Sequence, residues 1–317
     1  MADNLDINNV HRELARLPNF IVFAGTGLVA GTGISDSWKK LMQALAEEVG
    51  VGIGGKSEDE YPDVAEDVYE KLRSEGKGQR YDDIIKEALT PTEIRWSPHA
   101  MEVIETTNWI VTTNFDNIIE ASIFKRDAIK QRTSNPRIIN LPNLEKVDGF
   151  DRETLTYLHG SAHNNYIILR RQQYDNYYPS VSGKNGPTCI EEYLEFIYRN
   201  YPIVFVGFSF RDRYVRACFA NIHARMAWQD EDASRQVGYQ RVLPNIPQHY
   251  ALIRRLRPED YSKRENYDAD CETYKKIQQD LKAININFIW YHNHIEWTQS
   301  FEKIRELRET FTIVSLE

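Results

Sequence analysis

The stretch Phe20-Ile-Val-Phe-Ala-Gly-Thr-Gly-Leu-Val-Ala-Gly-Thr-Gly33 decides the fold of this chain. A short apolar run leads directly into glycines, and an amphipathic segment follows over residues 38–45. This order is typical of a buried strand, a tight loop and the beginning of a helix, whose free N–H groups favour a diphosphate. The spacing Gly25-x-Gly27-x-x-Ala30 fits the dinucleotide-binding pattern in its GxGxxA form. A glycine-rich turn that binds no ligand is the alternative.

The composition of the 317 residues is that of an ordinary globular protein, with 41% hydrophobic and 27% charged residues. A net charge of −8 argues against a general nucleic-acid-binding surface. The cysteines Cys189, Cys218 and Cys271 are far apart, which gives no CxxC zinc site or disulfide framework and favours a reducing, cytoplasmic compartment. We expect neither a signal peptide nor a membrane span, because no apolar run reaches the roughly 18 residues that a span needs.

Strand-like apolar runs alternate with amphipathic segments along most of the chain. Beyond the first strand, strands are predicted over residues 109–113, 136–141, 154–158, 165–169, 203–207, 250–253 and 287–291. Helices are predicted over residues 5–17, 36–49, 189–198, 212–226, 273–284 and 300–311, and another begins at residue 118. Residues 172–188 read as a mobile loop, and residues 228–240 are also loop-like. The alternation predicts an α/β fold, with a Rossmann-like, mostly parallel sheet and helices on both faces.

Strand signals are absent between residues 63 and 105, where the apolar spacing around Val64 and Ile84 indicates short helices. We therefore predict a small helical module inserted over residues 51–105. The Rossmann-like parts are then about 19–50 and 106–317, within one domain that spans the chain.

Four of the predicted strands end in small or polar residues. The groups that follow them are Gly25-Thr26-Gly27, Thr113-Asn114-Phe115-Asp116, His159-Gly160 and Gly207-Phe208-Ser209. Ligands of an open parallel sheet bind beyond the carboxyl ends of its strands. We therefore expect the four groups to converge on one crevice.

In this order (GTG, TTNFD, LHG, GFSFxD) the sequence resembles the SIR2-like domains of bacterial antiphage defence proteins, relatives of the sirtuins that hydrolyse NAD. The resemblance extends from about residue 19 to residue 307 and includes Trp38 and Pro98-His99. It implies that Asn114 positions the nicotinamide ribose and the attacking water. It also implies that Asp116 lies near the nicotinamide amide, and that His159 contacts the ribose hydroxyls and serves as a base.

The resemblance further implies a set of NAD-binding residues. Those that match the sirtuin diphosphate loop and adenine-ribose loop are Gly25, Thr26, Gly27, Gly207 and Ser209. Thr113 stands where sirtuins have a glutamine, and the sirtuin zinc module of two CxxC pairs is missing. The missing module counts against a protein deacylase and fits the NAD-hydrolysing branch. We therefore expect NAD as the substrate and no metal.

The chemistry of that branch suits these residue types. Breaking the nicotinamide–ribose bond develops positive charge on the ribose, so the protein mainly orients the sugar, excludes solvent and positions water. An asparagine can hold a water or a hydroxyl, and a histidine with a pKa near neutrality can accept a proton. The expected function is an NAD glycohydrolase that depletes NAD during phage infection. Because such an enzyme would kill its host if always active, we expect a regulatory protein encoded nearby, or homo-oligomeric assembly, to control it.

Other interpretations stay open from the sequence. The chain could be a non-catalytic sensor or assembly subunit that binds NAD or ADP-ribose, or a zinc-free deacylase or ADP-ribosyltransferase. Asn114 could be a turn residue, His159 a core histidine, and Asp212 a helix N-cap instead of a ligand contact. The Tyr-rich segment 166–178 suggests a loop that covers a pocket or an interface. The pair His292 and His294 has only Glu296 nearby, which disfavours a metal site.

Overall fold

A sheet of eight parallel strands forms the centre of the molecule. The computed structural model describes residues 5–30, 32, 37–54, 56, 58–89, 95–133, 135–147, 149–164, 166–179, 187–237 and 246–314. The strands are β1 (Leu5–Asp6), β2 (Ile21–Ala24), β3 (Trp109–Thr112), β4 (Arg137–Asn140), β5 (Thr154–Tyr157), β6 (Gly160–Ser161), β7 (Tyr166–Ile167), β8 (Ile203–Val206), β9 (His249–Arg254) and β10 (Ile286–Tyr291). The sheet order is β1-β10-β9-β8-β2-β3-β5-β4, and β6 pairs with β7 as a separate antiparallel hairpin.

Helices cover both faces of this sheet. They are α1 (Ile7–Arg16), α2 (Ser37–Glu48), α3 (Tyr61–Ser74), α4 (Gly78–Leu89), α5 (Pro98–Ile104), α6 (Ile118–Ile129), α7 (Arg171–Tyr177), α8 (Cys189–Asn200), α9 (Arg213–Val237), α10 (Arg264–Ala283) and α11 (His294–Val314). Among the described residues, no helix combines the length and the apolar character that a membrane crossing requires.

The strand β2 shows why these residues form a sheet with two covered faces. Ile21 and Phe23 pack into a core with α7, α8, α9 and α10, whereas Val22 and Ala24 pack into a second core with α1, α5, α6 and α11. Side chains alternate along a strand, so a strand covered on both faces is apolar throughout. The predicted α/β fold with a parallel sheet and helices on both faces is confirmed.

A third, smaller core holds α2, α3 and α4 together. Leu41 and Met42 of α2 pack against residues of α3 and α4, such as Val68 and Ile84. In contrast, α5 packs on the sheet domain beside α6 and α11. The prediction placed the insertion over residues 51–105. This packing favours α2–α4, so we propose a helical module over residues 37–89, with 90–94 outside the described residues.

Helices occupy parts of two segments that the sequence predicts as loops. Residues 172–188 were predicted as a mobile loop, which is wrong for the first part, because α7 occupies 171–177. Residues 228–240 were predicted as a loop, which is wrong up to residue 237, because α9 continues to Val237. Residues 180–186 and 238–240 lie outside the described part of the chain. Polar composition suggested loops in both places, although glutamine, glutamate and arginine are good helix formers.

Other elements differ in extent. The predicted strand over 165–169 is reduced to Tyr166–Ile167 and joins the hairpin instead of the main sheet. α10 and α11 begin at Arg264 and His294, earlier than the predicted residues 273 and 300. The first turns of α10 are exposed, and an exposed helix has no apolar periodicity to reveal it.

Candidate active site

The carboxyl ends of four adjacent strands, β8, β2, β3 and β5, surround one cavity. Its volume is about 850 Å³ including the part open to solvent. The predicted site residues that line it are Gly25, Thr26, Thr113, Asn114, His159, Gly207 and Ser209. Gly27 and Asp116 are not among its lining residues. The structure thus brings the ends of the four strands together, as the sequence predicted.

Three glycines allow the ends of β2 and β8 to touch. A Cβ atom on Gly25 would lie 2.4 Å from the carbonyl oxygen of Gly207, and one on Gly27 would lie 2.6 Å from the Cα atom of Gly207. Gly207 itself has a φ of +63°, and its Cβ would lie 2.3 Å from the backbone nitrogen of Leu28. No side chain fits at these positions, because the obstructing atoms belong to the backbone.

Backbone N–H groups of the glycine loop are already hydrogen-bonded within the protein. Gly25 donates to the carbonyl of Val206 at 3.0 Å, and Gly27 donates to that of Gly207 at 2.9 Å. The loop enters a 3₁₀ turn over Thr26–Val29, and the helix predicted over residues 36–49 is confirmed as α2 (Ser37–Glu48), while residues 33–36 lie outside the described residues. A diphosphate at this loop would therefore need donors other than the N–H groups of Gly25 and Gly27.

Asn114 is fixed by the backbone around it and is 3% exposed. Its N–H donates to Oγ1 of Thr112 at 3.0 Å, and its Nδ2 donates to the carbonyl of Gly25 at 3.3 Å. Its Oδ1 has no hydrogen-bond partner among the described residues. A buried acceptor without a partner costs roughly 1–3 kcal/mol, so it is a natural place for a hydroxyl or water of a ligand.

His159 follows β5 and lines the cavity, although only 1% of its surface is exposed. Its Nε2 is 2.6 Å from the hydroxyl oxygen of Tyr178, so Nδ1 is the ring nitrogen left for a ligand. Burial lowers the pKa of His159 to about 3. The expectation of a pKa near neutrality is therefore wrong, and the imidazole is neutral at physiological pH because desolvation disfavours its charged form.

Asp116 lies behind the cavity wall and is 1% exposed. Its Oδ1 accepts a hydrogen bond from the N–H of Ile118 at 3.0 Å, where α6 begins, while Oδ2 has no partner in the described structure. Burial raises the pKa of Asp116 to about 6. These contacts are those of a residue that organises the turn between β3 and α6, and its contact with nicotinamide stays a prediction.

Ser209 and Asp212 lie between β8 and α9 and both line the cavity. Oγ of Ser209 accepts from the N–H of Arg211 at 3.3 Å. Oδ1 of Asp212 accepts from the N–H groups of Tyr214 and Val215 at 2.9 and 3.1 Å, which confirms the N-cap interpretation. Burial raises the pKa of Asp212 to about 6. Asp212 therefore caps α9 and also borders the cavity.

Several residues outside the predicted set of catalytic and NAD-binding residues complete the wall. They are Trp38, Lys39, Glu58, Phe115, Tyr174, Phe208 and Asp212. Trp38 packs edge-on against Tyr61 at 5.3 Å, and its Nε1 has no partner in the described residues. Burial raises the pKa of Glu58. The only sequence signal among the module residues was Trp38, which belongs to the family resemblance. Glu58 lies in an acidic run that reads as a solvated loop.

The histidine pair near the end of the chain has local partners. Nε1 of Trp297 donates to Nδ1 of His294 at 3.0 Å, and the N–H of His292 donates to Oε2 of Glu296 at 2.8 Å. Across the described ranges, no group of three His, Cys, Asp or Glu side chains is arranged to hold a metal ion.

Comparison with known proteins agrees with this geometry. A family model described as SIR2-like domain matches residues 108–272, a range that contains Asn114, His159, Gly207 and Ser209. The chain is 24% identical over 307 residues to the NAD(+) hydrolase ThsA of Acinetobacter baumannii (strain 532279). That alignment covers 94% of this chain and 55% of ThsA, so the chain spans about half the length of this relative. Because the family model covers more than half of the sequence, the protein belongs to the SIR2-like family.

Proposed function

We propose that this protein is an NAD glycohydrolase, which cleaves the nicotinamide–ribose bond of NAD and releases nicotinamide and ADP-ribose. The observation that carries the proposal is the meeting of Asn114, His159 and the Gly25 turn in the wall of one cavity. These residues follow the ends of three adjacent strands, where a nucleotide binds in this class of fold. The 24% identity to an NAD(+) hydrolase supports the same substrate.

The wall has the groups that NAD would need. Oδ1 of Asn114 is an acceptor and Nε1 of Trp38 a donor, both buried and without partners in the described structure. Phe115 and Phe208 add apolar surface, which excludes water from a reacting centre. Thr26 and Ser209 supply further polar groups for the diphosphate and the ribose.

In the reaction, the bond between C1′ and the nicotinamide nitrogen breaks, and its electron pair leaves with neutral nicotinamide. A water molecule forms the new bond to C1′ and then loses a proton to the solvent or to a nearby base. We assign Asn114 to the water or ribose hydroxyl and His159 to a ribose hydroxyl. A neutral, weakly basic imidazole suffices, because a water that has attacked an oxocarbenium-like centre is itself strongly acidic.

We also propose a cellular role from the family resemblance. The protein would act in the cytoplasm as an NAD-depleting effector in antiphage defence. An NAD hydrolase that is always active would kill its own cell, so its activity would depend on assembly or on a regulatory protein encoded nearby.

The test is nicotinamide release from NAD by the purified protein, measured chromatographically with and without the neighbouring gene product. We expect release that is lost in Asn114→Ala. Binding of NAD without release under every condition would instead support a sensor or assembly subunit. Release only after addition of an acylated peptide would indicate a deacylase.

A further inference from the structure

Tyr178 forms a hydrogen bond with His159, the histidine of the candidate active site. Its hydroxyl oxygen is 2.6 Å from Nε2 of His159, and Tyr178 is fully buried at the C-terminal end of α7. Tyr178 is not among the residues that line the cavity, whereas His159 is. Tyr178 can therefore act on a ligand through the histidine without lining the cavity itself.

The position of this hydroxyl is fixed by a cluster of aromatic rings. Tyr174 and Tyr178 both meet the imidazole edge-on, with ring centroids 5.3 and 5.8 Å away. Tyr174 also stacks on Tyr214 at 4.6 Å, and its hydroxyl lies 3.5 Å from Oδ2 of Asp212. Rings packed on several sides keep one rotamer, so the imidazole has little freedom to turn.

A neutral imidazole carries one N–H, and the partner of one ring nitrogen decides the state of the other. If Nε2–H donates to the Tyr178 oxygen, Nδ1 keeps a lone pair that can accept from a ribose hydroxyl. That hydroxyl then turns its own lone pairs towards C1′, where positive charge develops. If the tyrosine donates instead, Nδ1 carries a proton and presents it to the sugar.

We propose that Tyr178 is a positioning residue that accepts the Nε2–H of His159 and so presents the Nδ1 lone pair to the nicotinamide ribose. This inference rests on the proposed NAD glycohydrolase function. The C-terminal end of α7, which lies within the segment that the sequence predicts as a loop, thereby gains a functional role.

The kinetic test is Tyr178→Phe, which removes the hydroxyl and keeps the ring. We expect kcat for nicotinamide release to fall by about 10- to 100-fold, with KM for NAD changed less than about 3-fold, because the Nε2–H tautomer of His159 is no longer favoured while the cavity persists. Tyr198→Phe is the matched control. Its hydroxyl is also buried and lies 2.9 Å from Nδ1 of His223, outside the cavity wall, so kcat should be unchanged.

The spectroscopic test reads the tautomer directly. Wild-type protein labelled with ¹⁵N-histidine should show the His159 signal, assigned by its loss in His159→Gln, with Nε2 protonated and Nδ1 unprotonated. Tyr178→Phe should show a mixture of tautomers. A protonated Nδ1 in the wild type would overturn the proposal, as would unchanged kcat and tautomer in Tyr178→Phe. If the wild type releases no nicotinamide at all, the proposed function fails, but the tautomer measurement still decides this proposal.

Discussion

Nδ2 of Asn114 donates a hydrogen bond to the carbonyl oxygen of Gly25, 3.3 Å away, and this bond joins the ends of β3 and β2. It orients the amide so that Oδ1 is left without a partner in the described structure. The hydrogen bond made by Nδ2 thus fixes the position of Oδ1. A group held in this way needs no reorganisation when substrate binds, which is the condition for efficient electrostatic catalysis.

We expect Asn114→Ala to reduce kcat for nicotinamide release by about 10²–10⁴-fold, the range for a positioned catalytic group. Asn108→Ala is the control at the other end of β3. Asn108 also donates through Nδ2 to a backbone carbonyl, that of Phe150, but it is exposed and lies before β3. The kcat of the Asn108→Ala variant should equal that of the wild type. Equal losses in both variants would mean that Asn114 matters for the stability of the strand and not for the reaction.

Gly207→Ala should destabilise the protein strongly. The new methyl group would lie 2.3 Å from the nitrogen of Leu28 and 2.5 Å from the carbonyl carbon of Gly27, which are backbone atoms of the buried 3₁₀ turn after β2 and cannot easily move aside. We expect the free energy of unfolding to fall by roughly 4 kcal/mol or more, or folding to fail. Urea denaturation of the purified variant measures this.

Gly50→Ala separates the steric effect from the cost of the backbone conformation. Gly50 has a φ of +67°, close to the +63° of Gly207, but a Cβ atom there meets nothing within 4 Å. Only the left-handed conformation then disfavours alanine, at roughly 1–2 kcal/mol. A loss as large as that of Gly207→Ala would show that crowding at the end of β8 is not the cause.

Asp116 should make the stability of the protein depend on pH in an unusual direction. Burial raises its pKa from 3.8 to about 6, so the folded protein binds this proton more tightly than the unfolded chain does. Its contribution to stability is present in full below about pH 4 and is lost as the pH rises to about 6. This difference in pKa between the folded and the unfolded chain corresponds to about 3 kcal/mol of unfolding free energy.

Asp116→Asn tests this, because asparagine keeps an oxygen for the N–H of Ile118 and does not titrate. Urea unfolding of both proteins between pH 4 and 7 gives the difference in their unfolding free energies. We expect the wild type to lose stability relative to the variant as the pH rises. The pKa of Asp212 is also raised to about 6, but its contribution to the pH dependence is the same in both proteins and cancels in the comparison. A difference that is constant with pH would contradict the raised pKa.

Much of the sheet could be predicted because its strands are apolar on both faces and end in recognisable turns. The run Phe20–Ala24 is fully buried. Glycines are required after it because the backbone of Gly207 approaches closely there. The ends of β3 and β5 could be placed beside them because carboxyl ends of parallel strands share one edge. The location of Asn114 and His159 at one cavity could therefore be predicted from the sequence.

Other parts of the site depend on contacts that no local pattern encodes. Tyr174 lies in a polar segment and is buried only because it packs on His159 and on Tyr214, which is distant in sequence. Trp38 and Glu58 reach the cavity through the docking of the helical module. The low pKa of His159 likewise follows from burial in the folded protein, not from its neighbours in the chain.

Glu66→Ala should loosen the connection between the helical module and the active site. The Glu66 carboxylate of α3 accepts from the N–H of Gln172 at 2.7 Å and pairs with Arg170 at 3.3 Å, so it fixes the beginning of α7, the helix that Tyr178 follows directly. Glu66 is 6% exposed, and its loss leaves the guanidinium of Arg170 poorly compensated, at a cost of about 2–4 kcal/mol.

Amide hydrogen exchange should therefore become faster in residues 171–178 of Glu66→Ala, and kcat should fall because α7 no longer holds His159 firmly. Asp63→Ala is the matched control on the same helix. Asp63 pairs with Arg171 at 3.1 Å, but both side chains are well exposed, and such a pair contributes about 1 kcal/mol at most. If the two variants exchange alike in this segment, the buried carboxylate does not anchor α7, and the module would influence the histidine only through the cavity wall.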